Sequence, residues 1–212
     1  MNIDPVAAVI GFGVLVLSLT IHEAAHAWTA DKLGDPTARV LGRVSLNPLV
    51  HIDWIGTVLL PLIAAFTPSI PIIGWAKPVP VNVRNLRHHR RDFMLVAAAG
   101  PASNLLQAVA AAGVLRVWDP HGDGPAILGF ALLRSVEINV LLAFFNMIPV
   151  PPLDGGNVLL GLLPPRLAAV YSQVRQYGFL VLYALLFTGV AEAIIFPPTR
   201  LLMGILLPGF MP

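Results

Sequence analysis

The chain has 212 residues, of which 57% are hydrophobic and only 11% are charged, with a formal net charge of +2. Soluble domains carry about 25% charged residues, so this composition predicts a membrane protein rather than a soluble enzyme. The small net charge argues against a nucleic-acid partner. The absence of cysteine excludes disulfides, thiolate metal ligands and cysteine nucleophiles.

Four apolar runs are long enough to cross a bilayer, which requires about 20 apolar residues. They cover roughly Pro5 to Ala30, Phe93 to Val117, Ile127 to Pro149 and Gly178 to Phe196. No lysine or arginine precedes the first run, so we do not expect it to be a signal peptide. The pattern predicts a mainly α-helical, polytopic membrane protein that forms a single membrane-embedded domain over residues 1–212.

The first apolar run contains the pentad His22-Glu23-Ala24-Ala25-His26. Residues four apart lie on the same face of a helix, so both imidazoles can reach one metal ion. The glutamate beside the first histidine is then placed to act on a water molecule as general base. Because ionisable groups are costly inside a membrane and mark functional sites there, the pentad predicts a metalloprotease that works within the bilayer.

A fifth apolar stretch, Trp54 to Trp75, is interrupted by Pro61, Pro68 and Pro71. A spanning helix tolerates one such break more readily than three, which favours a re-entrant segment over a crossing. If the stretch is re-entrant, all the basic residues between Asp31 and Asp92 lie on one side, which the positive-inside rule makes cytoplasmic. These residues are Lys32, Arg39, Arg43, Lys77, Arg84, Arg87, Arg90 and Arg91. A true crossing would divide these basic residues between the two sides of the membrane and weaken the difference in positive charge between them.

The segment from Ala38 to Leu46 alternates with a rough period of two and contains β-branched residues. This pattern predicts a short hairpin or edge strand packed near the first helix, with a polar loop as the alternative. An edge strand at this position could hold an extended substrate by β-augmentation.

A catalytic zinc ion usually has three protein ligands, so the pentad needs one more. Asp154 is a candidate, because the prolines before it unwind the backbone and Gly155 and Gly156 allow it to turn back into the bundle. The alternative is that Asp154 caps a helix starting near Asn157, and the spacing alone does not decide between the two. His88, His89 and His121 are interpreted as loop residues, and His51 as structural or as a residue that supports the site.

The depth of the pentad connects it to Asp154. His26 lies about seven residues before the end of its run, which corresponds to roughly 10 Å along a helix. If Trp54 to Trp75 is re-entrant, Asp154 emerges on the same side of the membrane as the end of the first run. A crossing would place it on the opposite side, where the three ligands could not meet without deep re-entry.

Three motifs, in this order, resemble the signatures of the site-2 protease family. They are HEAAH at 22–26, GPASN at 100–104 and NMIPVPPLDG at 146–155. The stretches NPLVHID at 47–53 and GWAKPVPVN at 74–82 are similar to the compact prokaryotic members. The resemblance covers about residues 10–160.

This resemblance implies an intramembrane zinc metalloprotease that hydrolyses peptide bonds of transmembrane segments. His22, His26 and Asp154 would bind one zinc ion, and Glu23 would be the general base. The remaining alternatives are a membrane metal carrier, in which Glu23 has no particular role, and a non-catalytic protein that binds membrane helices.

Two asparagines are further implied to contact the substrate. Asn146 would line the site and hydrogen-bond the substrate backbone or the developing oxyanion. Asn104 is the weaker candidate for substrate binding, with helix packing after the small Gly100 and Ala102 as its alternative.

The resemblance also implies the architecture: a three-helix catalytic core over about 5–160, with a membrane-embedded β hairpin and a re-entrant segment. C-terminal helices over about 161–212 would add one further span, and we expect no PDZ or CBS domain. The implied partners are the lipid bilayer and single-span membrane protein substrates. The implied location is a prokaryotic cell membrane with the active site nearer the cytoplasmic side, while the oligomeric state is not predicted.

Overall fold

The computed structural model describes residues 4–66, 74–118 and 126–208. Its α-helices are α1 (Pro5–Lys32), α2 (Thr37–Val40), α3 (Leu60–Phe66), α4 (His89–Trp118), α5 (Ala126–Asn146), α6 (Asp154–Leu162), α7 (Pro165–Val174), α8 (Gly178–Phe187) and α9 (Val190–Leu206). A π-helical turn covers Trp54–Leu59, and short 3-10 turns cover Pro48–Val50, Val83–Asn85 and Arg175–Tyr177. The protein is thus mainly helical, as the composition predicts.

Among the described residues, α1, α4 and α5 are each long and apolar enough to cross a membrane. The three helices pack against one another, with α4 in contact with both α1 and α5. Buried alanines on α4, at Ala108, Ala111 and Ala112, let its backbone approach α5 closely, where Val136 and Val140 are fully buried. The three helices thus form one bundle, and their length and composition fit a polytopic membrane protein.

Helix α1 has a defined start and end. The Asp4 carboxylate accepts a hydrogen bond from the Val6 amide at 2.9 Å, and Pro5 occupies the first helical position. Beyond Lys32 the chain turns at Gly34, whose φ of 111° suits glycine. The pentad therefore lies in the last turns of a continuous helix, close to the loops that follow it.

The hairpin predicted for Ala38 to Leu46 is wrong: the described residues contain no β-strand. Instead, Asp35 accepts a hydrogen bond from the Thr37 amide and α2 begins there. The helix ends at Val40, and Gly42 follows with φ of 68°. The Arg43 amide then donates to the Ala38 carbonyl at 2.8 Å. Because these amides are bonded within the segment, they are not available to pair with a second strand.

The stretch from Trp54 to Trp75 begins as the π-helical turn and continues as α3; residues 67–73, with Pro68 and Pro71, lie outside the described residues. The Trp75 amide donates to the Gly56 carbonyl at 3.1 Å, and the Thr57 hydroxyl donates to the Trp75 carbonyl at 2.8 Å. The two ends of the stretch are therefore in contact, whereas the ends of a membrane-spanning segment are about 30 Å apart.

The run from Gly178 to Phe196 is not the single straight helix that its hydropathy predicts. It is divided between α8 and α9 at Gly189, whose φ is 75°. The axis of α9 is bent by 73° relative to that of the helices α7 and α8 before it. The far end of α9 packs Met203 and Leu207 against α4 and α5. The C-terminal helices thus contribute at most one broken span to the described part of the chain.

Candidate metal centre

Helices α1 and α6 bring two histidines and one aspartate together. His22 and His26 are buried on α1, and Asp154 is the first residue of α6. The Nε2 atoms of the two histidines are 3.0 Å apart, and they lie 3.2 Å and 3.4 Å from the Asp154 carboxylate oxygens. The helix cap of α6 is Leu153, so the Asp154 carboxylate is directed at the histidines and does not cap the helix.

These distances fit a shared metal ion. Zinc binds histidine nitrogen at about 2.0–2.1 Å and carboxylate oxygen at about 2.0–2.2 Å, so the edges of a tetrahedral site measure about 3.3 Å. The three observed separations between ligand atoms scatter around this value. Among the described residues, this is the one group of histidine, cysteine or acidic side chains arranged to hold a metal ion.

Hydrogen bonds from α4 fix the orientation of both imidazoles. His22 Nδ1 lies 2.6 Å from Asn104 Oδ1, and His26 Nδ1 lies 2.7 Å from the Val96 carbonyl. Since both partners are acceptors, each Nδ1 carries the proton and each Nε2 presents a lone pair. Two lone pairs facing each other beside a carboxylate repel unless a cation lies between them, so the donor set itself favours a metal ion.

A glycine on α4 makes room for this arrangement. A Cβ atom on Gly100 would lie 2.4 Å from His26 Nε2 and 2.5 Å from His22 Nε2. Only a glycine allows the helix backbone to approach the imidazoles this closely. The first residue of the GPASN motif therefore has a steric role beside the candidate metal ligands.

The turn into α6 also requires glycine, because the backbone has no room for a side chain there. A Cβ on Gly155 would lie 2.3 Å from the Met147 carbonyl oxygen, and a Cβ on Gly156 would lie 2.7 Å from Pro151 N. These two glycines let the chain fold back tightly after α5, which returns Asp154 toward α1. Of the two alternatives that the sequence pattern leaves open for Asp154, the structure therefore has the return toward the histidines and not the helix cap.

Glu23, the third polar residue of the pentad, is held by the extended segment 74–82. Its Oε2 accepts a hydrogen bond from the Val79 amide at 3.1 Å. Lys77 anchors the same segment through both of its backbone groups. Its carbonyl accepts a hydrogen bond from the buried Arg43 guanidinium, and its amide donates to the His51 carbonyl at 2.9 Å. Burial lowers the pKa of both the Arg43 guanidinium and the His51 imidazole.

A cavity of about 620 Å³ opens in front of the candidate ligands. Asn146 lines it at the end of α5, with its amide nitrogen donating to the Leu142 carbonyl at 3.0 Å. The opposite wall is the segment 74–81, and Arg175 adds a cationic side chain. A second, more apolar cavity of about 500 Å³ adjoins it and shares Leu19, Gly74, Trp75, Leu142 and Phe145 with it.

The structure brings together five of the six predicted site residues around this cavity, which are His22, Glu23, His26, Asn146 and Asp154. Asn104 is different, because it is fully buried behind His22 and does not line the cavity.

The other histidines lie away from the centre or outside the described residues. His51 is buried, with Nε2 2.8 Å from the Ser45 carbonyl, and His88 pairs with Asp92 at 3.6 Å. His121 falls in the undescribed residues 119–125.

The role of the Val79 amide was not predicted from the sequence. The alternating prolines of GWAKPVPVN, at Pro78 and Pro80, indicate an extended chain, but nothing in the pattern shows which side chain its amides would reach.

Comparisons with known proteins agree with this geometry. The profile of peptidase family M50 matches residues 125–189. YwhC of Bacillus subtilis (strain 168), named as a zinc metalloprotease, is 38% identical over 190 residues, covering 86% of this chain and 82% of its own length.

Two further relatives, both named Rip2 and also as zinc metalloproteases, are longer proteins. Rip2 of Mycolicibacterium smegmatis is 33% identical, and the match covers 82% of this chain and 64% of the Rip2 protein. Rip2 of Mycobacterium tuberculosis H37Rv is 30% identical, and the match covers 80% of this chain and 63% of that protein. This chain therefore spans somewhat less than two thirds of either Rip2 protein. No solved structure matches the chain significantly.

The HEAAH helix, the convergent His-His-Asp group and the extent of the match to YwhC point to the same conclusion. The chain belongs to peptidase family M50, the site-2 proteases, and is a zinc metalloprotease embedded in the membrane.

Proposed function

We propose that His22, His26 and Asp154 bind the catalytic zinc ion and that Glu23 is the general base. The single observation that carries this proposal is the convergence of the two Nε2 atoms and the Asp154 carboxylate within 3.0–3.4 Å of one another, with Glu23 beside them on the cavity wall. Bound by these residues, a zinc ion would supply Lewis-acid chemistry, which polarises a carbonyl group and lowers the pKa of water to about 7.

The chain's own residues supply proton transfer and orientation. The Val79 amide holds Oε2 of Glu23, which leaves its other carboxylate oxygen to take a proton from the attacking water and to return it to the leaving amine. Asn146 lines the same cavity with one amide hydrogen in use and another free. It is suited to hydrogen-bond the carbonyl oxygen as negative charge develops there.

The extended segment 74–82 is the best candidate for holding the substrate backbone, in place of the segment Ala38 to Leu46. Its odd-numbered residues use their backbone groups on the protein: Trp75 bonds Gly56 and Thr57, Lys77 bonds His51 and Arg43, and Val79 bonds Glu23. Backbone groups alternate in direction along an extended chain, so the amide and carbonyl of Ala76 and the carbonyl of Pro78, which has no N–H, face the opposite way. Both residues line the cavity, where an unwound substrate could pair with them.

We further propose that Trp54 to Trp75 enters and leaves the bilayer on the same side, and that this side is cytoplasmic. The contact between Gly56 and Trp75 supports the re-entrant form, and the basic residues on both flanks of the stretch support the cytoplasmic assignment. The catalytic centre then lies nearer the cytoplasmic face of a prokaryotic cell membrane, within one membrane-embedded domain formed by residues 1–212.

Members of the site-2 protease family act on membrane proteins within the bilayer. We propose that the substrates of this chain are single-span proteins. A helical peptide bond is shielded by its own hydrogen bonds, so a substrate span with helix-breaking residues should be cut more readily. The second cavity offers apolar space beside the catalytic centre for the side chains of such a span.

Replacing the general base tests this function. Glu23→Gln keeps the size of the side chain but removes the base, so cleavage of a co-expressed single-span substrate with a helix break should fall by at least about 10²-fold. The purified variant should retain one zinc per chain, because its proposed ligands are intact. Glu137→Gln, which alters an exposed residue paired with Arg134, is the matched control and should cleave normally. Retained cleavage by Glu23→Gln would refute the mechanism.

A further inference from the structure

Asn139 lies within the apolar helix α5 and is fully buried. An amide in a membrane span is costly unless every hydrogen-bonding group has a partner, and such residues are commonly functional. Asn139 is not among the residues that line the catalytic cavity. A fully buried amide that does not line the cavity therefore needs an explanation other than contact with a substrate.

Its hydrogen bonds lead to His22 by way of Asn104. Asn139 Oδ1 accepts from Asn104 Nδ2 at 2.7 Å, and Asn104 Oδ1 lies 2.6 Å from His22 Nδ1. On the far side, Asn139 Nδ2 donates to Ser18 Oγ and to the Ser135 carbonyl, both at 2.9 Å. The chain of contacts runs through α1, α4 and α5, and Ser18, Asn104 and Asn139 are each 1% exposed or less.

Only one direction of donation satisfies this chain of contacts. The Ser135 carbonyl is an acceptor, so Asn139 must present its NH₂ group there and its oxygen toward Asn104. Asn104 must then present its own NH₂ group to Asn139 and its oxygen to His22. An oxygen at that position requires a proton on His22 Nδ1, which leaves the lone pair on Nε2, facing His26 and Asp154.

We propose that Asn139 is a positioning residue that acts through Asn104 to fix the metal-binding tautomer of His22. This inference rests on the proposed role of His22 as a zinc ligand. Without the Asn139 oxygen, the buried NH₂ group of Asn104 has no acceptor on its far side. Rotation of the Asn104 amide would then turn the NH₂ group toward His22 Nδ1, which would favour the tautomer with the proton on Nε2. That tautomer cannot donate an Nε2 lone pair to a metal ion.

The test is zinc affinity, measured by competition with a chromophoric chelator on purified full-length protein, together with the temperature of thermal unfolding. Loss of a residue that orients a metal-binding histidine weakens metal binding by about 10–100-fold. We expect Asn104→Ala to fall in this range and Asn139→Leu to weaken zinc binding by about tenfold. Val136→Ala, in the same helix and equally buried, is the control and should lower only the unfolding temperature.

A double-mutant comparison shows whether Asn139 acts through Asn104. In the Asn104→Ala background, Asn139→Leu should have no further effect on zinc affinity, because the connection to His22 is already broken. Asn139→Asp, which in its protonated form keeps an acceptor and a donor in the same places, should restore affinity to within about threefold of wild type. Equal losses in both backgrounds, or a loss of thermal stability alone, would overturn the proposal.

Two further variants cover the remaining outcomes. If Asn139→Leu does not fold, Asn139→Ala removes the same acceptor of the Asn104 amide with a smaller side chain. It should also weaken zinc binding by about tenfold, and unchanged affinity there would overturn the proposal. His22→Ala separates the two hypotheses. If His22→Ala binds zinc as tightly as wild type, the proposed metal site itself fails. If it loses zinc while Asn139→Leu does not, only the role of Asn139 fails.

Discussion

At the scale of single residues, the proposed metal centre depends on how closely α4 can approach the two histidines of α1. Gly100 allows the contact, and α4 supplies one hydrogen-bond acceptor to each imidazole: Asn104 Oδ1 accepts from His22 Nδ1, and the Val96 carbonyl accepts from His26 Nδ1. Contacts within the protein therefore fix the orientation of both candidate ligands. Hydrogen bonds of this kind, made by the second ring nitrogen of a metal-binding histidine, strengthen metal binding.

Gly100→Ala should disrupt this centre. The added Cβ would overlap both Nε2 atoms, so either α4 must move away from α1 or the imidazoles must turn, and we expect at least a tenfold loss of zinc affinity. Gly113→Ala is the matched control on the same helix, because a Cβ there has nothing within 4 Å. It should leave zinc binding unchanged and stabilise the helix by about 0.5–1 kcal/mol. Equal zinc affinity in both variants would show that the close approach at Gly100 is not needed.

At the scale of elements, the extended segment 74–82 is anchored to the end of α1 by Asp35. This fully buried carboxylate accepts from the Asn82 amide at 2.7 Å, from Asn85 Nδ2 at 2.9 Å and from the Thr37 hydroxyl at 2.5 Å. Burial alone would raise the pKa of Asp35, but these hydrogen bonds to the charged form lower it below its usual value. Asp35 thereby couples the position of the cavity wall to the helix that carries the pentad.

Asp35→Asn should destabilise the protein in a pH-dependent way. A carboxylate whose pKa is lowered by folding contributes stability above its unfolded pKa of about 3.9 and loses that contribution as the pH falls below it. At pH 7 the variant should be less stable by about 1.5–3 kcal/mol. Thermal unfolding in detergent should show a difference from wild type that shrinks toward pH 3. A constant difference across this range would contradict the ionic role of Asp35.

Hydropathy predicts a helix correctly only where a long apolar stretch is enough to determine the structure. It identifies α1, α4 and α5, which must satisfy their backbone groups within lipid and are therefore long helices. The period-two alternation misleads at Ala38 to Leu46, where the hydrogen bond from the Thr37 amide to Asp35 and the left-handed Gly42 favour a short helix over a hairpin. Hydropathy fails at Gly178 to Phe196, because the bend at Gly189 is a local backbone conformation that an average over apolar residues does not detect.

The site was more predictable than the loops around it. The i, i+4 spacing places His22 and His26 on one face, and the proline and glycine pattern around Asp154 returns the third candidate ligand to them. What the sequence could not supply are contacts between distant segments, such as Val79 with Glu23, and Asn104 with His22. These depend on how the helices pack, which no local pattern encodes.

At the scale of the whole molecule, the proposed re-entrant form of Trp54 to Trp75 allows the candidate ligands to meet. The native chain has no cysteine, so single cysteines report topology without interference. Val40→Cys and Arg84→Cys, on exposed residues that flank the stretch, should react with an impermeant maleimide from the same, cytoplasmic side. Val117→Cys, at the far end of α4, should react only from the other side. Labelling of Val40→Cys and Arg84→Cys from opposite sides would mean that the stretch crosses the membrane.

In the proposed site, α1 and α6 together hold one zinc ion through His22, His26 and Asp154. X-ray absorption at the zinc edge of the purified protein, together with its zinc content, tests this arrangement. We expect one zinc per chain, with two imidazole nitrogens at about 2.0–2.1 Å and a carboxylate oxygen at about 2.0–2.2 Å, and loss of this signature in Asp154→Ala. An Asp154→Ala protein with the same spectrum and the same zinc content as wild type would contradict it.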